Sequence, residues 1–381
     1  MQITGIICEY NPFHLGHQKQ LDHIRRTQGP NEAIVCLMSG NFVQRGHPAV
    51  FDKTVRAKAA ILCGADLVLE LPVHKALSSA EGFAAGGVEI LSRLCDKLCF
   101  GAETDDHHAI ASLAGAMLEP AFTQALRTQL DKGLSFPAAR QAALKQMGLP
   151  AALLETPNNI LAVEYCKAIY TRSSKLIPMP IVRQGSYHDD RPDPENPSAT
   201  SLRRQIETGG CWMDYIPKKA QPVVADSEVH TLSHGETAML YRLRTMTDAD
   251  FEVLPFGSEG LWRKFMHASR TENSLEAILT ATKSKRYTRT RLDRMAMCAF
   301  LGLTARDMDT PIPYVRVLAF NDKGRAVLGQ VRDSAFFINL GADTRHPYQA
   351  LERRCGSLYG LFAKNPEPPK SEENSRIFYA K

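Results

Sequence analysis

The rhythm of the first hundred residues constrains this chain more than anything else in it. Short apolar runs, "ITGIICEY" (3–10), "AIVCLMSG" (33–40), "DLVLELP" (66–72) and "KLCFGAE" (97–103), alternate with stretches of helical spacing. Those stretches are "HLGHQKQLDHIRRT", "DKTVRAKAAILCG" and "SAEGFAAGGVEILSRL". The runs read as buried strands, and strand–helix alternation predicts a parallel sheet wrapped by helices. "MPIVR" (179–183) predicts another strand, after a helical insertion from about 106 to 172. In an open α/β sheet, ligands gather at the carboxyl ends of the strands. The chemistry is therefore to be sought in the turns that follow these runs.

At 381 residues, 44% of them hydrophobic, the chain suits more than one domain. We expect a catalytic α/β domain at 1–215 and a smaller, mainly helical region at 216–381, because the pattern changes near Tyr215. There "SLEAILTATKSKRYTRTRLDRMAMCAFLGL" is helical and strongly basic in its middle. "YVRVLAF" (314–320) and "SAFFINL" (334–340) read as strands around a turn-like "NDKGR", and "KNPEPPKSEENSR" (364–376) as solvated chain. Residues after 310 carry no functional signal.

The formal charge of +5, from 46 basic and 41 acidic residues, does not by itself mark a nucleic-acid binder. Nine scattered cysteines with no CxxC pair argue against a disulfide framework or a zinc site, and no metal-ligand set stands out. No run of about 18 apolar residues could span a membrane. These features predict a soluble, cytoplasmic protein.

"GIICEYNPFHLGHQKQL" (5–21) holds the sharpest signal. His14 and His17 bracket Leu15 and Gly16 where a strand should give way to a helix. The first turn of a helix leaves N–H groups unpaired, and its dipole favours an anion. Gly16 lets a nucleotide approach the backbone closely. Two imidazoles three residues apart share one helix face and can donate to phosphate oxygens as charge develops on leaving pyrophosphate. An HxGH string is short, however, and both histidines could simply cap the helix.

This string resembles the HxGH signature of the nucleotidyltransferase superfamily, which implies a Rossmann-like domain acting at the α-phosphate of ATP. A wider resemblance follows in order along the chain: "EYNPFHLGH", "SGNFVQRG" (39–46), "DLVLELP", "SAEGFA" (79–84), "CFGAE" (99–103), "PNNILAVEY" (157–165), "YHD" (187–189), "SATSLR" (198–203) and "KRYTRTRLDR" (285–294). Together they resemble the bacterial tRNA(Met) cytidine acetate ligase family. That resemblance implies that acetate and ATP, with magnesium on its phosphates, form acetyl-adenylate. The acetyl group then passes to the wobble cytidine of elongator tRNA(Met).

Carried over by position, it implies catalytic roles for His14 and His17. It implies ATP contacts along the loop from Ile7 to Gln20: Ile7, Cys8, Glu9, Tyr10, Asn11, Pro12, Phe13, Leu15, Gly16, Gln18, Lys19 and Gln20. Gly101, Arg183 and an asparagine of "PNN" complete the set. Of Asn158 and Asn159, either could be the ligand contact and the other a helix cap, with Asn158 favoured. "SATSLRR" is similar to a second superfamily signature, with Pro197 where that pattern prefers isoleucine. Ser198, Thr200, Ser201 and Arg203 are its candidate pyrophosphate contacts, and Thr200 joins the ATP set. Asn41, Gln44 and Arg45 could line the same rim or only order a loop. Tyr187, His188 and Asp189 could be an acid–base group or a loop brace.

"KSKRYTRTRLDR" (283–294) carries six basic residues against one acid. Lys285, Arg286, Arg289, Arg291 and Arg294 could meet tRNA phosphates and Tyr287 could stack on a base, although such runs are often only a solvated helix face. Two other functions stay open at this point. One is a small-molecule adenylyltransferase with a phosphopantetheine- or pyridine-mononucleotide-like acceptor. The other is an RNA-binding protein with a vestigial nucleotide site.

Overall fold

The computed structural model describes residues 1–183, 193, 196–331, 336–338, 346–369 and 376–381. Five parallel strands form its centre: β1 (Ile3–Cys8), β2 (Ala33–Ser39), β5 (Leu67–Leu71), β6 (Lys97–Ala102) and β7 (Ile177–Val182). They stand in the order β5-β2-β1-β6-β7. A small antiparallel hairpin, β3 (Phe42–Val43) with β4 (His47–Pro48), follows β2.

The chain steps outward from β1 through β2 to β5, then returns to the other side of β1 for β6 and β7. This reversal opens a crevice between β1 and β6 at their carboxyl ends. Every residue of β2 is buried, and its side chains alternate between two cores. Ala33, Val35 and Leu37 pack on one face with Phe83, Val88 and Val163. Ile34, Cys36 and Met38 pack on the other with Leu21, Ile24 and Ala57. Burial on both faces is why this run reads as continuously apolar.

The helical insertion is present as Pro120–Asp131 and neighbouring helices, ending in Pro157–Thr171, which lies over β6. Beyond residue 216, helices Leu232–Thr245, Leu261–Thr271, Leu275–Thr282 and Arg289–Leu301 surround a third core. Phe42, from the small hairpin, reaches into that core and meets Tyr359 and Phe362 edge-on. The stretch expected to be helical holds two helices, Leu275–Thr282 and Arg289–Leu301, joined at its basic middle by a turn that pairs Ser284 with Tyr287.

The chain then returns to the sheet. β8 (Val315–Asn321) runs antiparallel against β5, β9 (Phe337–Ile338) pairs with it, and β10 (Phe378–Ala380) closes that edge. "NDKGR" is not a turn between strands, because Asn321 caps the helix Asp322–Gln330 by accepting from the Gly324 N–H at 3.0 Å. Among the described residues, no helix is long and apolar enough to cross a membrane.

Candidate active site

The backbone leaves β1 and turns sharply at Tyr10, whose φ of 45° lies in the left-handed region. His14 then caps the first helix, α1 (Leu15–Gln28). Its Nδ1 accepts the Gly16 N–H at 3.0 Å, while His17 Nδ1 accepts the His14 N–H at 3.3 Å. Each imidazole therefore spends Nδ1 on the backbone, which places the proton of the neutral ring on Nε2. The two rings lie 3.8 Å apart.

Burial drives the His14 pKa down from its ordinary value to about 3, helped by the nearby Arg183 and Arg203 charges. Burial, then His14 and Arg183, holds His17 well below the ordinary value as well. Both rings are neutral at pH 7 and offer Nε2–H donors. His14 Nε2 is buried and has no hydrogen-bond partner among the described residues. A buried donor without an acceptor is costly, and an anion arriving at this point removes the cost.

The second helix start faces the first. A Cβ at Gly16 would stand 2.9 Å from the His14 ring, so the capping imidazole needs glycine there, and 3.7 Å, an ordinary contact, from the Pro197 carbonyl oxygen. Directly after Pro197, Ser198 caps Ala199–Thr208 by accepting from the Ser201 N–H at 3.1 Å. Ser198 and Ser201 are buried and bonded to each other. Thr200 is exposed and accepts from Arg203 at 3.1 Å. Arg203 also donates to the Asn11 carbonyl at 2.7 Å. Two helix N-termini thus converge, bringing together His14, His17, Thr200 and Arg203. That arrangement suits a polyphosphate.

At the end of β6 lies the second part of the site. A Cβ at Gly101 would come within 2.7 Å of Arg183 Cδ, so the missing side chain makes room for that arginine. Arg183 Nη1 donates to Asn158 Oδ1 at 3.2 Å. Asn159 is buried and its Oδ1 accepts the Glu103 N–H at 2.9 Å, a bracing role that leaves Asn158 facing outward beside Arg183. Glu103, which the sequence reading passed over, accepts from the Asn158 and Asn159 N–H groups and from Asn158 Nδ2 at 2.6 Å. Its position at the end of the quoted "CFGAE" is the one signal that could have marked it.

The loop residues divide between floor and rim. Tyr10 and Phe13 are buried and pack around His17. Glu9 accepts the Gln44 N–H at 2.9 Å, and Gln18 bridges Asp22 and the Cys63 carbonyl. Gln20 points to Cys99, and Lys19 reaches Asn196 at 2.8 Å. Asn41 is a buried brace whose Oδ1 accepts the Lys53 N–H at 2.7 Å. Tyr187, His188 and Asp189 lie outside the described residues.

The basic segment presents less open charge than its composition suggests. Arg286 pairs with Glu259 at 2.8 Å, Tyr287 donates to the same carboxylate, and Arg289 binds Glu276 and Asp293. Arg291 donates to the Phe256 carbonyl at 2.7 Å. Arg294 is mostly buried over the Phe256 ring, and burial lowers its pKa to about 10. Lys283 and Lys285 are exposed. The segment is nonetheless joined to the site. At Gly46, in the turn of the small hairpin, φ is +78° and a Cβ would be 2.5 Å from the Arg294 backbone nitrogen. Arg45, Arg203 and Arg289 all act on His47, whose pKa falls to about 4, chiefly through burial.

Comparison with known proteins shows the family. A family model described as HIGH nucleotidyl transferase matches residues 1–374. The tRNA(Met) cytidine acetate ligase of Acetivibrio thermocellus is 34% identical over 96% of this chain and 96% of its own length. That of Clostridium novyi is 38% identical over 87% of this chain and 88% of its own. The crystal structure of apo Thermotoga maritima TmcAL superposes with a TM-score of 0.91 at 28% identity, covering 100% of this chain and 99% of that one. The structure of the same protein bound with alpha-thio ATP gives 0.87 at 27% identity, again over 100% and 99%. The chain belongs to the tRNA(Met) cytidine acetate ligase family of the HIGH nucleotidyl transferases.

Proposed function

We propose that this protein is an ATP-dependent ligase that acetylates the N4 amine of the wobble cytidine in elongator tRNA(Met). The observation that carries the reading is the neutral histidine pair, with its buried, unpartnered His14 Nε2, set between two helix N-termini. An acetate oxygen attacks the α-phosphorus of ATP, the bond to the bridging oxygen breaks, and pyrophosphate leaves. His14 and His17 donate Nε2–H bonds to oxygens that gain charge in that step, and Thr200 and Arg203 take up the departing end. Gly101 and Asn158 hold the nucleoside side of ATP, while Arg183, whose charge already reaches His14 and His17, pairs with the phosphate or acyl-adenylate oxygens. The cytidine amine then attacks the acetyl carbonyl and loses a proton, and AMP departs.

The protein's part is positioning and charge stabilisation, with no covalent enzyme intermediate. Magnesium would travel on the triphosphate, where a hard cation keeps phosphate and water oxygens. Among the described residues, no group of three His, Cys, Asp or Glu side chains could hold a metal ion. Nine cysteines standing as thiols support a cytoplasmic setting.

ATP–pyrophosphate exchange tests the reading directly. Exchange that requires acetate, exceeds that with propionate, and is followed by acetyl transfer to tRNA(Met) is the expected result. If no carboxylate supports exchange, with or without tRNA, the acetyl-adenylate mechanism is wrong and a nucleotide-like acceptor takes its place.

A further inference from the structure

The largest fully buried side chain in the described protein is Arg56, 1% exposed, on the helix α2 (Lys53–Leu62). Nothing in the sequence marks it. A buried guanidinium usually meets a carboxylate, but the bonds of Arg56 run to main-chain carbonyl oxygens. Its Nε donates to Phe51 at 2.8 Å. Nη1 donates to Glu9 at 2.6 Å and to Ser39 at 3.1 Å, and Nη2 to Gly40 at 2.5 Å. Burial lowers its pKa from the ordinary arginine value.

The four acceptors identify the role. Ser39 ends β2 and Gly40 follows it, Phe51 leads into α2, and Glu9 is the first residue beyond β1. Glu9 directly precedes Tyr10, the left-handed residue at which the chain turns toward His14. On the far side of Tyr10, the Asn11 carbonyl is held by Arg203, and Asn11 Oδ1 accepts the Val50 N–H at 2.8 Å. A non-glycine residue at positive φ persists only where its surroundings over-determine it. Here one arginine grips each side of it, Arg56 from the protein interior and Arg203 from the second signature helix. The Tyr10 ring, so placed, lies 4.8 Å from that of His17.

We infer that Arg56 is a positioning residue for the adenylation step, fixing the Glu9–Tyr10 peptide so that His14 and His17 meet the phosphates in register. It touches neither substrate nor the reacting atoms. The inference rests on the function proposed above. Lysine keeps the charge but cannot reach four carbonyls in a plane. Misplacement of catalytic groups by about 1 Å can cost as much as 10²-fold in rate.

The experiment compares wild type with Arg56→Lys and Arg56→Gln in acetate-dependent ATP–pyrophosphate exchange, with melting temperature measured alongside. Absence of exchange in the wild type would sink the proposed function, independently of Arg56. With an active wild type, we expect folded Arg56→Lys to lose about 10- to 100-fold in kcat while the KM for ATP stays within about threefold. A purely structural role would lower kcat only in proportion to the folded fraction. The inference is overturned if kcat of folded Arg56→Lys stays within about twofold of wild type, or if both variants are recovered only unfolded. In the second case Arg56 serves folding alone. Should only Arg56→Gln fold, the same kcat and KM criteria apply to it.

Discussion

The HxGH loop and the basic segment at 283–294 were the two strongest functional signals in the sequence, and they fare differently in three dimensions. In the loop, the chemically active atoms stay available: both histidines use Nδ1 locally and keep Nε2 for a ligand. In the basic segment, most of the charged groups are already engaged, Arg286 and Arg289 with glutamates and Arg291 with a carbonyl. The difference lies in what each signal encodes. The loop's meaning is in its spacing, which local backbone geometry preserves. The segment's meaning is in a charge count, and distant acids such as Glu259 and Glu276 can cancel that count without appearing in the motif.

The sharpest way to break this comparison is His14→Asn. Asparagine is a good N-cap, so it can keep the bond to the Gly16 N–H while removing the Nε2–H donor. We expect kcat for acetate-dependent exchange to fall about 10²- to 10³-fold, with little change in melting temperature. If His14→Asn retains most of its activity, His14 is only a cap and the loop is no better than the basic segment as a guide to chemistry.

A second expectation concerns pH. The folded pKa of His14 lies near 3, below the usual 6.5, and those of His47 and His74 lie near 4. Between pH 6.5 and these values the unfolded chain binds more protons than the folded one, so stability falls with falling pH. Each histidine contributes up to about 1.4 kcal/mol per pH unit across its own window. A denaturant titration from pH 7 to pH 4.5 should show this loss, with a shallower slope in His14→Asn. The exchange rate should show no limb near pH 6.5 from His14. A limb there that vanishes in His14→Asn would mean that the imidazole is solvated and charged in the working enzyme.

Much of the fold was legible because the central strands are buried on both faces, so their apolar runs stand clear of the helices between them. The edge was harder to read. β10 has three residues and follows a polar tail, and it is held by pairing with β8 and by Tyr379 packed on Phe320. Neither contact leaves a mark in the local pattern. "NDKGR" contains turn residues, but the same chemistry that makes asparagine favour turns makes it a helix cap. Its glycine is needed for another reason, since a Cβ at Gly324 would stand 2.0 Å from the Asp66 carbonyl oxygen. Within the site, the motif residues could be named, but their division into floor and rim could not. Ser198 and Thr200 look equivalent in the sequence, and only helix geometry buries the one and exposes the other. Glu103 and Arg56 act on groups far from them in sequence.

The smallest expected effect sharpens the other half of the comparison. If engaged arginines contribute less to RNA binding than open lysines, then Lys285→Ala and Arg289→Ala should separate. Lys285 is exposed, and its ammonium can meet an RNA phosphate without first leaving an acid. Its loss should weaken tRNA binding about two- to fivefold and lower the slope of log affinity against log salt by roughly 0.7 to 0.9, leaving melting unchanged. Arg289 holds Glu276 and Asp293 together at the start of its helix. Removing it leaves two acids without their cation, so the melting temperature should fall, and affinity should change through added negative charge with little change in salt slope. Equal changes in salt slope for the two variants would show that Arg289 leaves its acids for the phosphate backbone. The charge count would then be the better guide after all.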